Sequence, residues 1–300
     1  MNHASRWRQS LARQSIAPAY AALDGVEAIA LVGDSGRGLA DGWSDLDLVV
    51  FWRQAPSLET RAQIVEALGG RAWVVDDAAL RRPDLALQHR DETWWLPGGT
   101  DAALKVDVRH TLCIAMDRLL ADVVERQQPD RLKLAQLGSI QQALPLHGAD
   151  RIAGWADGAG RCPEAIARRL VEDNLRLFAP WTFEMLAERE DGLLYARNLA
   201  DTLERMLLVL HGLNRSYPPL SPGHLAATVA ALPLAPTDFA RRATALLAAR
   251  PIDASRRLGL LATELYDLVD ARMPGLDTRP ARGALAGRRP RLVDSPIPLG

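Results

Sequence analysis

Every strand-forming run in this 300-residue chain lies before Leu112, and the rest of the chain is helical patterning broken by proline and glycine. That division excludes a chain of alternating strands and helices and an all-β fold, and leaves an α+β protein. The runs are residues 28–32, 45–51, 71–75, 92–96 and 102–108. They predict a mixed β-sheet flanked by helices, with an all-α part after it. The expected boundaries are 1–111 for the sheet domain, 112–277 for a helical domain and 278–300 for an extended or partly disordered tail rich in Arg, Pro and Gly.

Local signals place the elements around these runs. Residues 6–23 read as a helix interrupted near Pro18 and closed by Asp24-Gly25. Residues 57–68 have helical periodicity, with Ser57 as N-cap and Gly69-Gly70 as the stop. The fourth and fifth runs read as a hairpin across Pro97-Gly98-Gly99-Thr100-Asp101. Beyond Leu112, 144–148 reads as a break. Residues 163–190 read as a long helix that Pro180 kinks or splits. Leu199, Leu203, Met206, Leu207 and Leu210 mark one face of a helix over 193–213, and 258–269 is another amphipathic helix.

Two carboxylates stand one residue apart at the head of the second run, Asp45-Leu46-Asp47-Leu48-Val49-Val50-Phe51. In a strand, residues i and i+2 share a face, so Asp45 and Asp47 project together. Like charges held so close need a shared proton or a cation. Magnesium suits such a pair, because it prefers oxygen ligands and completes its shell with water and phosphate. Just upstream, Leu31-Val32-Gly33-Asp34-Ser35-Gly36-Arg37-Gly38 is a strand running into a glycine turn, where backbone N–H groups, the Ser35 hydroxyl and the Arg37 guanidinium suit a phosphate. A third carboxylate, Asp107, sits in Lys105-Val106-Asp107-Val108. It reaches the pair if its strand runs beside theirs; otherwise it is a strand-end carboxylate paired with Arg109.

In order, spacing and flanking residues these motifs resemble the nucleotidyltransferase superfamily related to DNA polymerase beta. Its pattern is a hydrophobic strand, a Gly-Gly or Gly-Ser turn, a gap, Asp-x-Asp, and a carboxylate on a later strand. Gly33-Asp34-Ser35-Gly36-Arg37-Gly38 with Ser44-Asp45-Leu46-Asp47-Leu48 is most similar to the antibiotic-type and minimal members. The resemblance covers roughly residues 28–109 and implies transfer of a nucleoside monophosphate, most often AMP from ATP, to a hydroxyl of a small acceptor, with release of pyrophosphate. It implies two Mg²⁺ ions on Asp45, Asp47 and Asp107, with ATP or another triphosphate held by Gly33, Ser35, Arg37, Gly38 and Ser44. Asp34 departs from the pattern, standing where the family has Ser or Gly; either Ser35 supplies the phosphate contact or Asp34 sets a negative charge there. A second, looser similarity, of Leu210-His211-Gly212-Leu213-Asn214-Arg215-Ser216-Tyr217-Pro218-Pro219, is to an Ala-Leu-Asn-Arg-x-Tyr-x-Pro segment of some bacterial nucleotidyltransferase-like proteins with helical C-terminal domains.

An aminoglycoside-like acceptor would be cationic, which singles out Glu172, Asp173, Asp201 and Glu204 in the helical part, Asp173 and Glu204 foremost. The plain alternative is that these acids pair with Arg168, Arg169, Arg176 and Arg205 one helical turn away. Lys and Arg total 36 against 37 Asp and Glu, so the chain lacks the basic excess of a protein that tracks nucleic acid. Cys113 and Cys162 are too few for a disulfide framework and read as buried apolar residues. The N-terminal stretch is polar and no apolar run is long enough to span a membrane, from which a cytoplasmic location is expected. Two other classes stay open: a transferase acting on a partner protein, as in toxin–antitoxin pairs, and a nucleotide-binding relative without turnover.

Overall fold

The five runs become strands β1 (Val26–Val32), β2 (Leu46–Trp52), β3 (Arg71–Asp76), β4 (His89–Pro97) and β5 (Ala103–Leu112) in a computed structural model that describes residues 2–76, 89–97, 103–221 and 223–288. A sixth strand, β6 (Leu144–His147), completes one mixed sheet in the order β3-β4-β5-β2-β1-β6. β2 and β5 run parallel, and the other neighbours are antiparallel. The sheet and the helical second part make the α+β class expected from the sequence.

One sheet face is apolar and closed. Leu46, Leu48, Val50 and Trp52 of β2, with Val106 and Val108 of β5 and Trp94 of β4, join Ile16, Tyr20, Ile64 and Val65 in one core. Those last residues come from the N-terminal helices and from α4 (Leu58–Ala67), whose N-cap Ser57 accepts from the Thr60 amide as its sequence predicts. The N-terminal segment runs through α1 (His3–Leu11), a π-helical stretch (Ala12–Ile16) and α2 (Ala17–Ala21). Pro18 cannot donate an N–H, and it falls in the first turn of α2 directly after the widened stretch, so the helix is interrupted without ending. A short helix, α3 (Gly33–Arg37), links β1 toward β2.

The sequence boundary at 111/112 is displaced. The two compact units are Met1–Arg161 and Cys162–Gly300. Helices α5 (Cys113–Val124), α6 (Arg131–Gln141) and α7 (Ala149–Ala159) belong to the first unit, and α7 packs on β1 and β6. The segment read as a break at 144–148 is the edge strand β6, paired with β1. Four residues containing Pro145 carry no strand periodicity, and an edge is where a sheet tolerates proline.

The second unit contains α8 (Glu164–Asn174), α9 (Pro180–Glu188), α10 (Gly192–Asn214), α11 (Leu225–Ala230), α12 (Phe239–Leu247), α13 (Pro251–Arg272) and α14 (Arg279–Ala286). Pro180 splits the expected 163–190 helix, starting α9 at a position where its missing N–H costs nothing. Leu199, Met206, Leu207 and Leu210 of α10 are buried with Leu258, Leu261, Leu265 and Val269 of α13, and Leu203 is partly buried beside them. Asn214 ends α10 by donating to the Leu210 and Leu234 carbonyls and accepting from the Leu234 amide, so the Asn-Arg segment has a structural use. The first part of the expected tail is helical, α14, with Ala281 and Leu285 buried; residues 289–300 and most of the predicted 97–101 turn lie outside the described residues. No helix among the described residues is long and apolar enough to cross a membrane.

Candidate functional site

Register sets two of the three predicted carboxylates side by side. Asp47 of β2 lies directly opposite Asp107 of the parallel β5, and Asp107 lies opposite Thr93 of the antiparallel β4. Side chains in direct register share a face, and so do residues two apart along one strand. Asp47, Asp107, Thr93, Lys105, Arg109 and Asp91 therefore occupy the face opposite the apolar core. Asp45 immediately precedes β2. Farther along the same face Phe51 meets Trp155 of α7, with ring centroids 4.6 Å apart, so α7 covers that end and leaves the carboxylate end uncovered by this contact.

Lys105 joins two of the three acids. Its Nζ donates to Asp45 Oδ2 at 3.0 Å and to Asp107 Oδ2 at 2.7 Å. These hydrogen bonds, the one to Asp107 foremost, hold the ammonium above its ordinary pKa despite its partial burial. Thr93 Oγ1 donates to the other Asp107 oxygen at 2.5 Å. Arg109, the partner of Asp107 in the alternative reading, grips Asp91 through Nε at 2.8 Å and Nη2 at 3.2 Å.

Asp47 is the exception, for no hydrogen-bond donor among the described residues reaches it. Burial first, then the carboxylates of Asp107 and Asp45, raise its pKa from 3.8 to about 6, against the opposing pull of Lys105; Asp34 adds to the rise. Gly33 explains how backbone comes so near this group. It adopts φ +61°, and a Cβ there would stand 2.3 Å from Asp47 Oδ2. A side chain at this position would be disfavoured by the conformation and would crowd the Asp47 carboxylate.

The glycine turn is braced from behind. Ser35 is fully buried, and its Oγ donates to the Asp45 carbonyl at 2.9 Å, so the hydroxyl expected at a phosphate instead fixes the carboxylate strand. Ser44 also serves the loop: its Oγ accepts from the Asp41 amide at 2.9 Å and donates to Asp41 Oδ1 at 3.1 Å. Gln9 Nε2 donates to the Ser35 carbonyl at 2.8 Å, and Arg8 Nε to the Ser44 carbonyl at 2.9 Å. Arg37 closes α3 and Gly38 caps it at φ +76°. Of the phosphate set, Gly33, Arg37 and Gly38 keep a direct role open, while Ser35 and Ser44 support the frame.

Beneath the same strands lies a buried polar hub. Glu92 of β4 accepts from Trp73 Nε1 at 3.0 Å, Arg61 Nη1 at 3.3 Å and the Tyr20 hydroxyl at 3.4 Å. His110 Nε2 stands 2.9 Å from Glu92 Oε1, while its Nδ1 accepts from Trp52 Nε1 at 3.0 Å. Because an indole only donates, His110 Nδ1 carries no proton and Nε2 does. Burial works against the Glu92 charge, yet His110, Trp73 and Arg61 together lower its pKa below the ordinary 4.5.

The predicted acceptor residues lie in the second unit. Asp173 of α8 pairs with Arg169 at 3.4 Å, Glu172 with Arg168 at 2.9 Å, and Asp201 of α10 with Arg205 at 2.8 Å. These are the helical i,i+4 pairs that their spacing allowed. Glu204 lies on α10 and is half-buried. Cys113 and Cys162 are buried and free, and burial pushes both thiols up to about 12, which keeps them unreactive.

Sequence reasoning named the three aspartates but missed Lys105, Thr93, Arg8 and Gln9. Alternation along β5 was the available signal for Lys105, two residues before Asp107; nothing local marks the others.

The donor chemistry of the face suits a hard divalent cation: three carboxylates, one of them without a hydrogen-bond donor among the described residues and lifted in pKa by burial and its acidic neighbours. As the side chains stand, no three His, Cys, Asp or Glu residues among those described converge closely enough to hold a metal ion. Lys105 takes up one oxygen each of Asp45 and Asp107.

No protein-family model matches the chain, and no curated protein matches it. Among solved structures it is similar to a nucleotidyltransferase-like protein from Exiguobacterium sibiricum, at 12% identity and a TM-score of 0.36, over 92% of this chain and 77% of the other. A superposition that loose carries neither activity nor substrate across.

Proposed function

We propose that the chain is a nucleotidyltransferase that moves a nucleoside monophosphate, in the first place AMP from ATP, onto a hydroxyl of a small acceptor and releases pyrophosphate. The observation that carries this reading is Asp47 set opposite Asp107 on adjacent parallel strands, with Asp45 two residues before it and Gly33 pressed against the Asp47 carboxylate. Asp45 and Asp47, with Asp107 beside them, would hold magnesium, which when bound neutralises charge on the phosphates and favours ionisation of the acceptor hydroxyl.

The chain's own residues do the rest. Gly33 leaves the backbone beside Asp47 without side-chain bulk, so a phosphate can approach backbone amides there, and Gly38 ends α3 in a left-handed turn. Arg37 offers that phosphate a fixed positive charge. Thr93 and Lys105 fix the rotamer of Asp107, and Ser35 fixes the main chain at Asp45. A second reading, nucleotide binding without turnover, draws support from Asp34, whose charge adds to the negative potential at Asp47.

The test is incubation with Mg²⁺, label in the α-phosphate of each common nucleoside triphosphate, and a panel of aminoglycosides, lincosamides and a cell lysate. Label transfer matched by pyrophosphate release is expected with a small acceptor. Label appearing only on a protein from the lysate would move the acceptor class to a partner protein. Tight triphosphate binding with no transfer to any acceptor would favour the binding-only reading.

A further inference from the structure

Lys105 bridges two acids of this face, and its position bears on how many metal ions the face can take. Asp107 already has a donor on each oxygen, Thr93 Oγ1 on Oδ1 and Lys105 Nζ on Oδ2. Asp45 gives Oδ2 to the same ammonium and keeps Oδ1. Asp47 receives no donor from the described residues. The oxygens left for a cation are thus those of Asp47 and one of Asp45, while the Asp107 side is already served.

We propose that Lys105 takes one of the two cation places of this site, so that the chain binds a single divalent ion, at Asp45 and Asp47, with the lysine ammonium standing in on the Asp107 side. The ammonium already offsets carboxylate charge on the Asp45 and Asp107 side, where a second ion would otherwise sit. Geometry supports the permanence of the arrangement: Lys105 and Asp107 are two residues apart on one strand, so the ammonium is tethered to the face at high effective concentration. The threonine on the far oxygen holds Asp107 turned toward the lysine. Lys105 is on this account a positioning residue that sets metal stoichiometry. The inference rests on the nucleotidyl-transfer reading for the presence of a divalent ion at all.

The test counts Mn²⁺ on the full chain in the presence of the α,β-methylene analogue of ATP, by electron paramagnetic resonance of free and bound ion. One Mn²⁺ per chain with no spin-coupled pair signal is expected for the wild type and for Lys105→Arg. A second Mn²⁺ and a coupled-pair signal are expected for Lys105→Met, with Lys105→Gln as the alternative neutral variant should the first fail to fold. Two Mn²⁺ per wild-type chain, or a count that stays at one in a folded neutral variant, would overturn the inference and leave nucleotidyl transfer standing. No bound Mn²⁺ in either the wild type or the variants would overturn both the inference and the metal-dependent reading beneath it.

Discussion

Replacing Asp47 with Asn should make the protein more stable at neutral pH while disabling it. The Asp47 carboxyl has an ordinary pKa of 3.8 and a folded-state value of about 6, so above pH 6 the fold carries an ionised group that its surroundings disfavour. At about 1.36 kcal/mol per pKa unit, a difference of roughly two gives ~3 kcal/mol of destabilisation at pH 8. The sign comes from proton binding. Between pH 3.8 and about 6 the folded state holds more protons on Asp47 than the unfolded state, so stability falls as pH rises through that window and levels off above it. Asn has the same shape, keeps the contact with Gly33 and carries no charge, so it removes this penalty without opening a cavity. Urea unfolding without divalent ions should show Asp47→Asn gaining up to ~3 kcal/mol over wild type at pH 8, and the gain should vanish near pH ~3.5, where both proteins are largely neutral at this position. An equal midpoint for the two proteins at pH 8, or a gain that does not change with pH, would refute the electrostatic reasoning.

The same geometry sets further outcomes. Gly33→Ala places a β-carbon 2.3 Å from Asp47 Oδ2 at φ +61°; a conformational cost of about 1–2 kcal/mol in thermal unfolding and loss of label transfer are expected, and wild-type transfer would contradict the close approach. Glu92, with a pKa lowered below 4.5, contributes stability that is fully present above the unfolded value and is lost as pH falls through the folded one. Glu92→Gln should flatten acid unfolding in that range and cost about 3–5 kcal/mol at pH 7 by leaving Arg61 buried without its counter-ion. An unchanged acid limb in the variant would remove Glu92 from the hub.

Much of the first unit could be read from residue patterns, because alternation and caps are local signals. The Asp45-to-Phe51 run, the Ser57 cap and the hairpin of β4 and β5 each carry their own chemistry, and the parallel pairing that joins Asp107 to Asp47 becomes possible once those strands share a sheet. What local signals lack is the identity of a partner. An amphipathic helix such as α7 announces a face to bury without saying that β1 and β6 will receive it, which is why the boundary moved from 111 to 161. The edge strand β6 is too short, and too disturbed by Pro145, to show a period of two. At the site, the motif marked Ser35 as a ligand contact, yet its hydroxyl turned inward to the Asp45 carbonyl. Spacing put Lys105 on the face of Asp107 but could not reveal that the ammonium bridges to Asp45 across the neighbouring strand. The acids of α8 and α10 kept two readings in the sequence; for Glu172, Asp173 and Asp201 the structure supplies arginine partners one turn away.

The central claim, that the Asp47 and Asp107 pair carries nucleotidyl transfer, is met most directly by one comparison. Label transfer from the α-phosphate of ATP to the best acceptor is measured with Mg²⁺ for the wild type, Asp47→Asn and Asp107→Asn, all checked for folding by circular dichroism. Rates lowered by at least about a thousandfold in both variants, with the fold intact, are expected if these carboxylates provide the charge that the transition state requires. Transfer at an undiminished rate in folded Asp47→Asn would contradict the account.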